Sequence, residues 1–221
     1  MSTEVRTLIV APHGMDEVLG CGATMAGIAA AGHDVHTLVL FGDGSGRDMQ
    51  RRPAGQAAAA ILGTAPPLYS GFPENRGDTI ALAEVIAAVE QAISRIRPAE
   101  LYVPHIGNLN IDHQIAHKAA LTAARPIPDL PVKSILAYEV PSSTDWAPSG
   151  SPFLPTRFVD ISATLDKKLD ALQCYFAEMR EPPHTRSFEG IRALAKSRGH
   201  SMGLHAAEAF MVLRQIVPAE V

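Results

Sequence analysis

The sequence predicts an α/β fold, a mostly parallel sheet with helices on both faces and a site at the carboxyl ends of the strands. Three observations predict it. Short apolar runs rich in β-branched residues alternate with longer stretches of helical periodicity over the first 140 residues, and that alternation builds βαβ units. Each apolar run stops at Pro, Gly or a polar cluster. The unusual polar residues sit just after those runs, where open α/β sheets form their sites.

The elements follow in order. Thr7–Ala11 (TLIVA) is a buried strand, stopped by Pro12 and Gly14. Val18–Ala31 is a helix ended by Gly32. In it, Gly20-Cys21-Gly22 serves close packing on the sheet, because it lies too far past the strand for a dinucleotide fingerprint. Val35–Phe41 is the second strand. It is followed by the glycine loop Gly42–Gly46, where phosphate cradling is a minor reading because no helix opens directly behind it. Ala54–Leu62 is helical, and a strand should end near Tyr69. Ala81–Ile96 has apolar residues at helical spacing and stops before Pro98. Leu101–Val103 is a strand, Asp112–Ala124 a helix and Ser134–Tyr138 a strand. Pro141–Pro155 reads as a loop and Arg157–Asp160 as an edge strand. Leu165–Met179 and Ser187–Arg198 read as helices, and Ala209–Gln215 as a helix or a strand. No internal repeat divides the chain, so residues 1–221 are expected to form one domain.

Composition narrows the function classes. With 19 Lys+Arg against 23 Asp+Glu the formal net charge is −4, so the chain lacks the basic excess that holds nucleic acid by its phosphates. The only basic cluster, Arg47–Arg52, reads as a solvated loop. Cys21 and Cys174 are far apart and form no CxxC pair, which fits a reducing cytoplasm. The N-terminal apolar run is too short for a signal peptide, and no stretch approaches the roughly 20 apolar residues that cross a bilayer. A cytoplasmic protein with no membrane or nucleic-acid partner is expected.

Two loops carry the chemistry. After the first strand, His13 leaves the strand tip and Asp16 opens the next helix, where the helix N-terminus favours a carboxylate. After Leu101–Val103 comes His105-Ile106-Gly107-Asn108-Leu109-Asn110-Ile111-Asp112-His113. Each loop alone has a plain reading, Asp16 or Asn110 capping a helix and the histidine incidental. Together on one sheet edge, His13, Asp16 and His113 supply two imidazoles and a carboxylate, the ligand set of a catalytic zinc with an open position. A rival pairing of His113 with His117, i and i+4 on one helix face, resembles a zincin motif with Gln114 in the place of its general base.

The segment APHGMDEVLGCGATMA resembles the signature APHPDDEVLGCGGT of the LmbE-like (PIG-L) metal-dependent deacetylases. The likeness continues through Gly71–Arg76, LNIDH, Tyr138–Ser143, Phe158–Ser162 and the region Arg186–Phe210, in order along nearly the whole chain. It implies a Rossmann-like hydrolase that binds Zn2+ or another divalent metal and removes N-acyl groups, most often acetyl from an amino sugar. It implies a homo-oligomer acting on a small acylated amino sugar or its conjugate. It places the metal ligands on His13, Asp16 and His113, and it makes Arg76 a substrate contact.

Two departures stand out. Gly14 and Met15 replace the family's Pro and Asp, and that Asp is the usual general base. Methionine accepts no proton. Asn110 stands where many members carry a histidine, and it can donate a hydrogen bond but cannot act as an acid. Asn108 stands where a close subgroup carries Asp. Three readings follow. In the first, the enzyme is active and uses another base, Asp112 or Glu17, with His105 more distant. Asp112 serves equally well to orient a ligand histidine. In the others, the chain is a metal-binding pseudoenzyme or a repurposed metal enzyme whose Met15 shapes a different pocket.

Overall fold

The computed structural model describes residues 5–146 and 151–217, and the strands of this part form one seven-stranded sheet. The strands are β1 (Arg6–Ala11), β2 (Asp34–Phe41), β3 (Leu68–Phe72), β4 (Glu100–Pro104), β5 (Ser134–Tyr138), β6 (Arg157–Asp160) and β7 (Ala207–Gln215). Their order is β3-β2-β1-β4-β5-β7-β6. The first five run parallel, and β7 lies antiparallel between β5 and β6. The helices are α1 (Asp16–Ala30), α2 (Asp48–Leu62), α3 (Leu82–Ile96), α4 (Ile111–Ala123), α5 (Leu165–Gln173) and α6 (Phe188–His200).

The pleat sorts the strand residues between two apolar layers. Leu8 and Val10 of β1, Leu101 and Val103 of β4, and Ile135 and Ala137 of β5 pack with α3 and α4. Ile9, Tyr102, Leu136 and Tyr138 turn the other way, onto α1, α2, α5 and α6. The central strands are therefore covered on both faces, which is why β1, β4 and β5 read as nearly unbroken apolar runs. Strands β1 and β4 are neighbours, with Ile9 opposite Tyr102, yet the chain leaves β1 toward β2 on one side and continues from β4 toward β5 on the other. That reversal is the switch point at which open α/β sheets leave a crevice.

Some expectations shift. Arg157–Asp160 is the edge strand expected, and Ala207–Gln215 is a strand rather than a helix. Arg47–Arg52 is not a loop, because α2 begins at Asp48. Of its three arginines, Arg51 is buried against Glu74 and Glu178 and Arg52 pairs with Asp48, whereas Arg47 remains largely in solvent. Leu165–Met179 breaks into α5 and a short 3₁₀ turn at Phe176–Glu178. In the expected loop Pro141–Pro155, residues 147–150 lie outside the described residues, and Ser151–Pro155 has no regular structure.

The glycine pair in α1 does what its place suggested. A Cβ at Gly20 would overlap the Tyr138 ring, and one at Gly22 would press on Lys168. With no side chains there, neighbours reach the helix backbone. Glu208 accepts from the amides of Ala23 (3.1 Å) and Thr24 (2.7 Å). Lys168 Nζ donates to Leu19 O (2.7 Å) and to Glu208 (2.6 Å).

Candidate metal centre

His13 lies two residues beyond the end of β1, and a sharp turn brings Asp16 under it. That turn needs Met15 at φ 91°, a left-handed conformation that costs a side chain on the order of 1–2 kcal/mol. The result is a closed loop in which Asp16 Oδ2 accepts from the backbone N–H of His13 at 3.0 Å. His113 arrives on the first turn of α4, after β4. Its Nε2 is 3.2 Å from Asp16 Oδ2, and His13 Nδ1 is 3.3 Å from the same oxygen. One donor atom from each of His13, Asp16 and His113 falls within 4.8 Å of the others, and all three residues are buried. His117, the rival partner of His113, points away and bonds Pro104 O through Nδ1 at 2.8 Å.

Asp112 sits behind His13. Its Oδ2 is 2.7 Å from His13 Nε2 and accepts from Asn75 N–H (2.6 Å), and its Oδ1 accepts from Gly77 N–H (2.9 Å). A carboxylate can only accept here, so His13 carries a hydrogen on Nε2 and turns Nδ1 toward Asp16. Carboxylates behind metal-binding histidines fix tautomer and ring angle in this way. Burial disfavours charge on His13, but its hydrogen bonds to Asp112 and Asp16 outweigh that, and its pKa rises to about 9. Burial also works against an ionised Asp16, and His113 and His13 reverse it, holding that carboxyl well below the usual range.

The remaining site residues take distinct positions. Glu17 is buried, accepts from Tyr175 OH at 3.0 Å through Oε1, and leaves Oε2 without a partner among the described residues. Burial pushes its carboxyl up to about 7. Met15 is buried in the apolar cluster on the α1 face. Asn110 is the N-cap of α4, accepting from Asp112 N–H at 2.8 Å and donating to Asn75 Oδ1 at 3.2 Å. Arg76 is exposed between Asn75 and Gly77, the residues that hold Asp112. It makes no ion pair to Asp78 or Glu74 among the described residues, and Glu74 is bound by Arg51 at 3.0 Å. His105 turns to Ser151 O at 2.8 Å and Phe153.

The glycine loop after β2 is filled from within. Gly44 N–H donates to Asp48 Oδ2 at 2.7 Å, and a Cβ on Gly42 would collide with the same carboxylate, so a carboxylate of the chain itself takes the place a phosphate would need.

Sequence reasoning missed how Asp112 is held. Backbone amides of Asn75 and Gly77 do it, and backbone amides leave no mark in a sequence. Asn75, with φ 57°, was the one available signal, because Asn tolerates that conformation better than most residues.

Residues 8–124 of the 221 match the family described as GlcNAc-PI de-N-acetylase, PIG-L. An uncharacterized deacetylase of Escherichia coli K12, YaiS, is 30% identical over 143 residues, which span 62% of this chain and 74% of that one. Among solved structures, the conserved protein TT1542 from Thermus thermophilus is similar with a TM-score of 0.76 and 26% identity, over 97% of this chain and 98% of that one. An N,N'-diacetylchitobiose deacetylase from Pyrococcus horikoshii shares the fold, with a TM-score of 0.78 and 18% identity over 98% of this chain and 88% of that one.

Proposed function

The chain belongs to the PIG-L family of GlcNAc-PI de-N-acetylases, and from that premise we propose a metal-dependent hydrolase that removes an N-acyl group, acetyl foremost, from an amino sugar or a related small metabolite. One observation carries the reading: the buried donor set of His13, Asp16 and His113, with its atoms within 4.8 Å of one another at the switch point of the sheet. Two imidazole nitrogens and one carboxylate oxygen suit Zn2+ and leave room for further ligands.

A divalent cation held there supplies Lewis acidity toward an acyl oxygen and lowers the pKa of water. The chain's own residues do the rest. Asp112 orients His13, and both its oxygens are already engaged by His13, Asn75 and Gly77. Glu17, next to Asp16 in the chain, has an oxygen without a partner among the described residues, so the proton acceptor that Met15 cannot provide is assigned to Glu17. Met15 forms an apolar wall behind the ligand loop. Arg76, at the rim, binds a sugar hydroxyl or an anionic group, with two parallel hydrogen bonds within its reach.

The test joins metal analysis to turnover. The purified protein should hold about one zinc per chain, His113→Ala and Asp16→Ala should lose it, and the loaded protein should hydrolyse members of a panel of N-acylated amino sugars. Full zinc in both variants would refute the ligand set, and a loaded protein that turns over nothing on the panel would refute the substrate class.

A further inference from the structure

The two histidines of the candidate metal centre are prepared for a cation in opposite ways. His13 has a carboxylate behind it and an Nδ1 free of hydrogen bonds other than those within the ligand group. His113 has an amide behind it, with Asn108 Nδ2 3.0 Å from His113 Nδ1. Which end of that amide faces the ring is fixed by its other neighbour. Asn110 N–H lies 2.9 Å from Asn108 Oδ1, and a backbone N–H is always a donor. The oxygen must therefore face Asn110, and the NH2 group faces His113. Asn108 is buried, and its own carbonyl is tied to Gln114 Nε2 at 2.8 Å, so it has little freedom to take another place.

A donor aimed at Nδ1 requires a bare Nδ1. In a neutral imidazole the hydrogen then sits on the other nitrogen. That nitrogen, Nε2, is the one that faces Asp16 Oδ2 at 3.2 Å. His113 thus presents an N–H, not a lone pair, to the place where a metal would lie.

We propose that Asn108 is a positioning residue that holds His113 in the Nε2–H tautomer, so that the metal-free site is latched by the contact of His113 Nε2 with Asp16 Oδ2 at 3.2 Å and accepts a cation only when the Asn108 amide turns over. Turning it places the NH2 group against Asn110 N–H, two donors face to face, which is why the latch resists loading. Carboxylate in place of the amide accepts from both Asn110 N–H and His113 Nδ1–H and frees Nε2 for metal. The inference rests on the ligand set proposed above, and it predicts a weaker metal site than that set would otherwise form.

Two measurements test it on the full chain with Asn108→Asp, a change of one group at constant size. The first uses the metal-free protein and needs no cation. Imidazole 15N spectra, with the His113 signals assigned by their loss in His113→Gln, should show hydrogen on Nε2 in the natural protein and on Nδ1 in Asn108→Asp. Hydrogen on Nδ1 in the natural protein overturns the proposal. The second is Zn2+ affinity by competition with a chromophoric chelator. Asn108→Asp should bind about 10–100-fold more tightly, the range typical of groups behind a metal ligand, and the gain should vanish when His113→Ala is added. Equal or weaker binding by a folded Asn108→Asp protein overturns the proposal while leaving the ligand set standing. An Nε2–H signal in the natural protein with no zinc bound by either form overturns the ligand set and, with it, the latch.

Discussion

Met15 holds a left-handed backbone between two proposed ligands, with φ 91°, where a glycine would fit without strain. Strain of this kind concentrates at functional sites, and here it folds Asp16 back onto the N–H of His13. The turn thus forms around a residue that accepts no proton. An Asp at 15 would add a carboxylate to that turn. With Glu17 as the proton acceptor, Met15→Asp should gain little in kcat on a panel of N-acetylated amino sugars, and a gain of about 10²–10⁴-fold, the usual worth of general base catalysis, would show that the natural site lacks a base. The natural enzyme should turn over briskly, and Glu17→Gln should lose activity by a similar factor. A Glu17→Gln enzyme as fast as the natural one removes Glu17 from the mechanism.

At the scale of elements, α1 and α4 carry two of the proposed ligands, Asp16 and His113, and are seated by buried polar contacts. The helix α1 is fixed from the side by Glu208 and Lys168, whose ion pair at 2.6 Å is almost wholly buried. Removing one partner of a buried pair leaves an uncompensated charge and typically costs about 3–5 kcal/mol. Lys168→Met should therefore destabilise the fold by that order in urea unfolding, and Lys168→Met/Glu208→Gln should recover part of the loss. No loss in Lys168→Met would mean that the pair contributes nothing net. Helix α4 is seated on β4 by His117 at Pro104 O. Burial holds His117 below its ordinary pKa of 6.5, against the opposing effect of that hydrogen bond. The folded state then binds fewer protons than the unfolded chain, so His117 contributes stability above pH 6.5 that is lost as pH falls below it. Urea midpoints measured from about pH 7.5 down to about 5 should fall more steeply for the natural protein than for His117→Gln, and parallel slopes would reject this assignment.

Across the whole molecule, what could be read from the sequence is what local chemistry writes into it. The strand Ser134–Tyr138 was legible to the residue because a strand buried on both faces is a plain apolar run. His13, Asp16 and His113 were legible because each stands within a few residues of a strand or helix end. The start of α2 was not, because Asp48–Pro53 is charged and contains a proline, and only its ion pairs to Glu74 and Glu178, distant in sequence, explain its burial. The hold of Asn75 and Gly77 on Asp112 was illegible for the same reason of distance.

The same division between sheet and loops predicts what metal removal does. The proposed ligands stand at the sheet edge, His13 on a loop and Asp16 and His113 on the first turns of α1 and α4, whereas the two apolar layers and the sheet close without them. Chelator-treated protein should keep its folded circular dichroism and melt cooperatively. Zinc that binds only the folded state adds about 2.7 kcal/mol at a hundred times its Kd. For a chain of this size about 2–4 °C accompanies each kcal/mol, so Tm should rise by roughly 5–10 °C. His113→Ala should melt near the metal-free natural protein and show little of the rise. Unfolding on chelation would mean that the metal is structural, and an undiminished rise in His113→Ala would place the zinc elsewhere on the molecule.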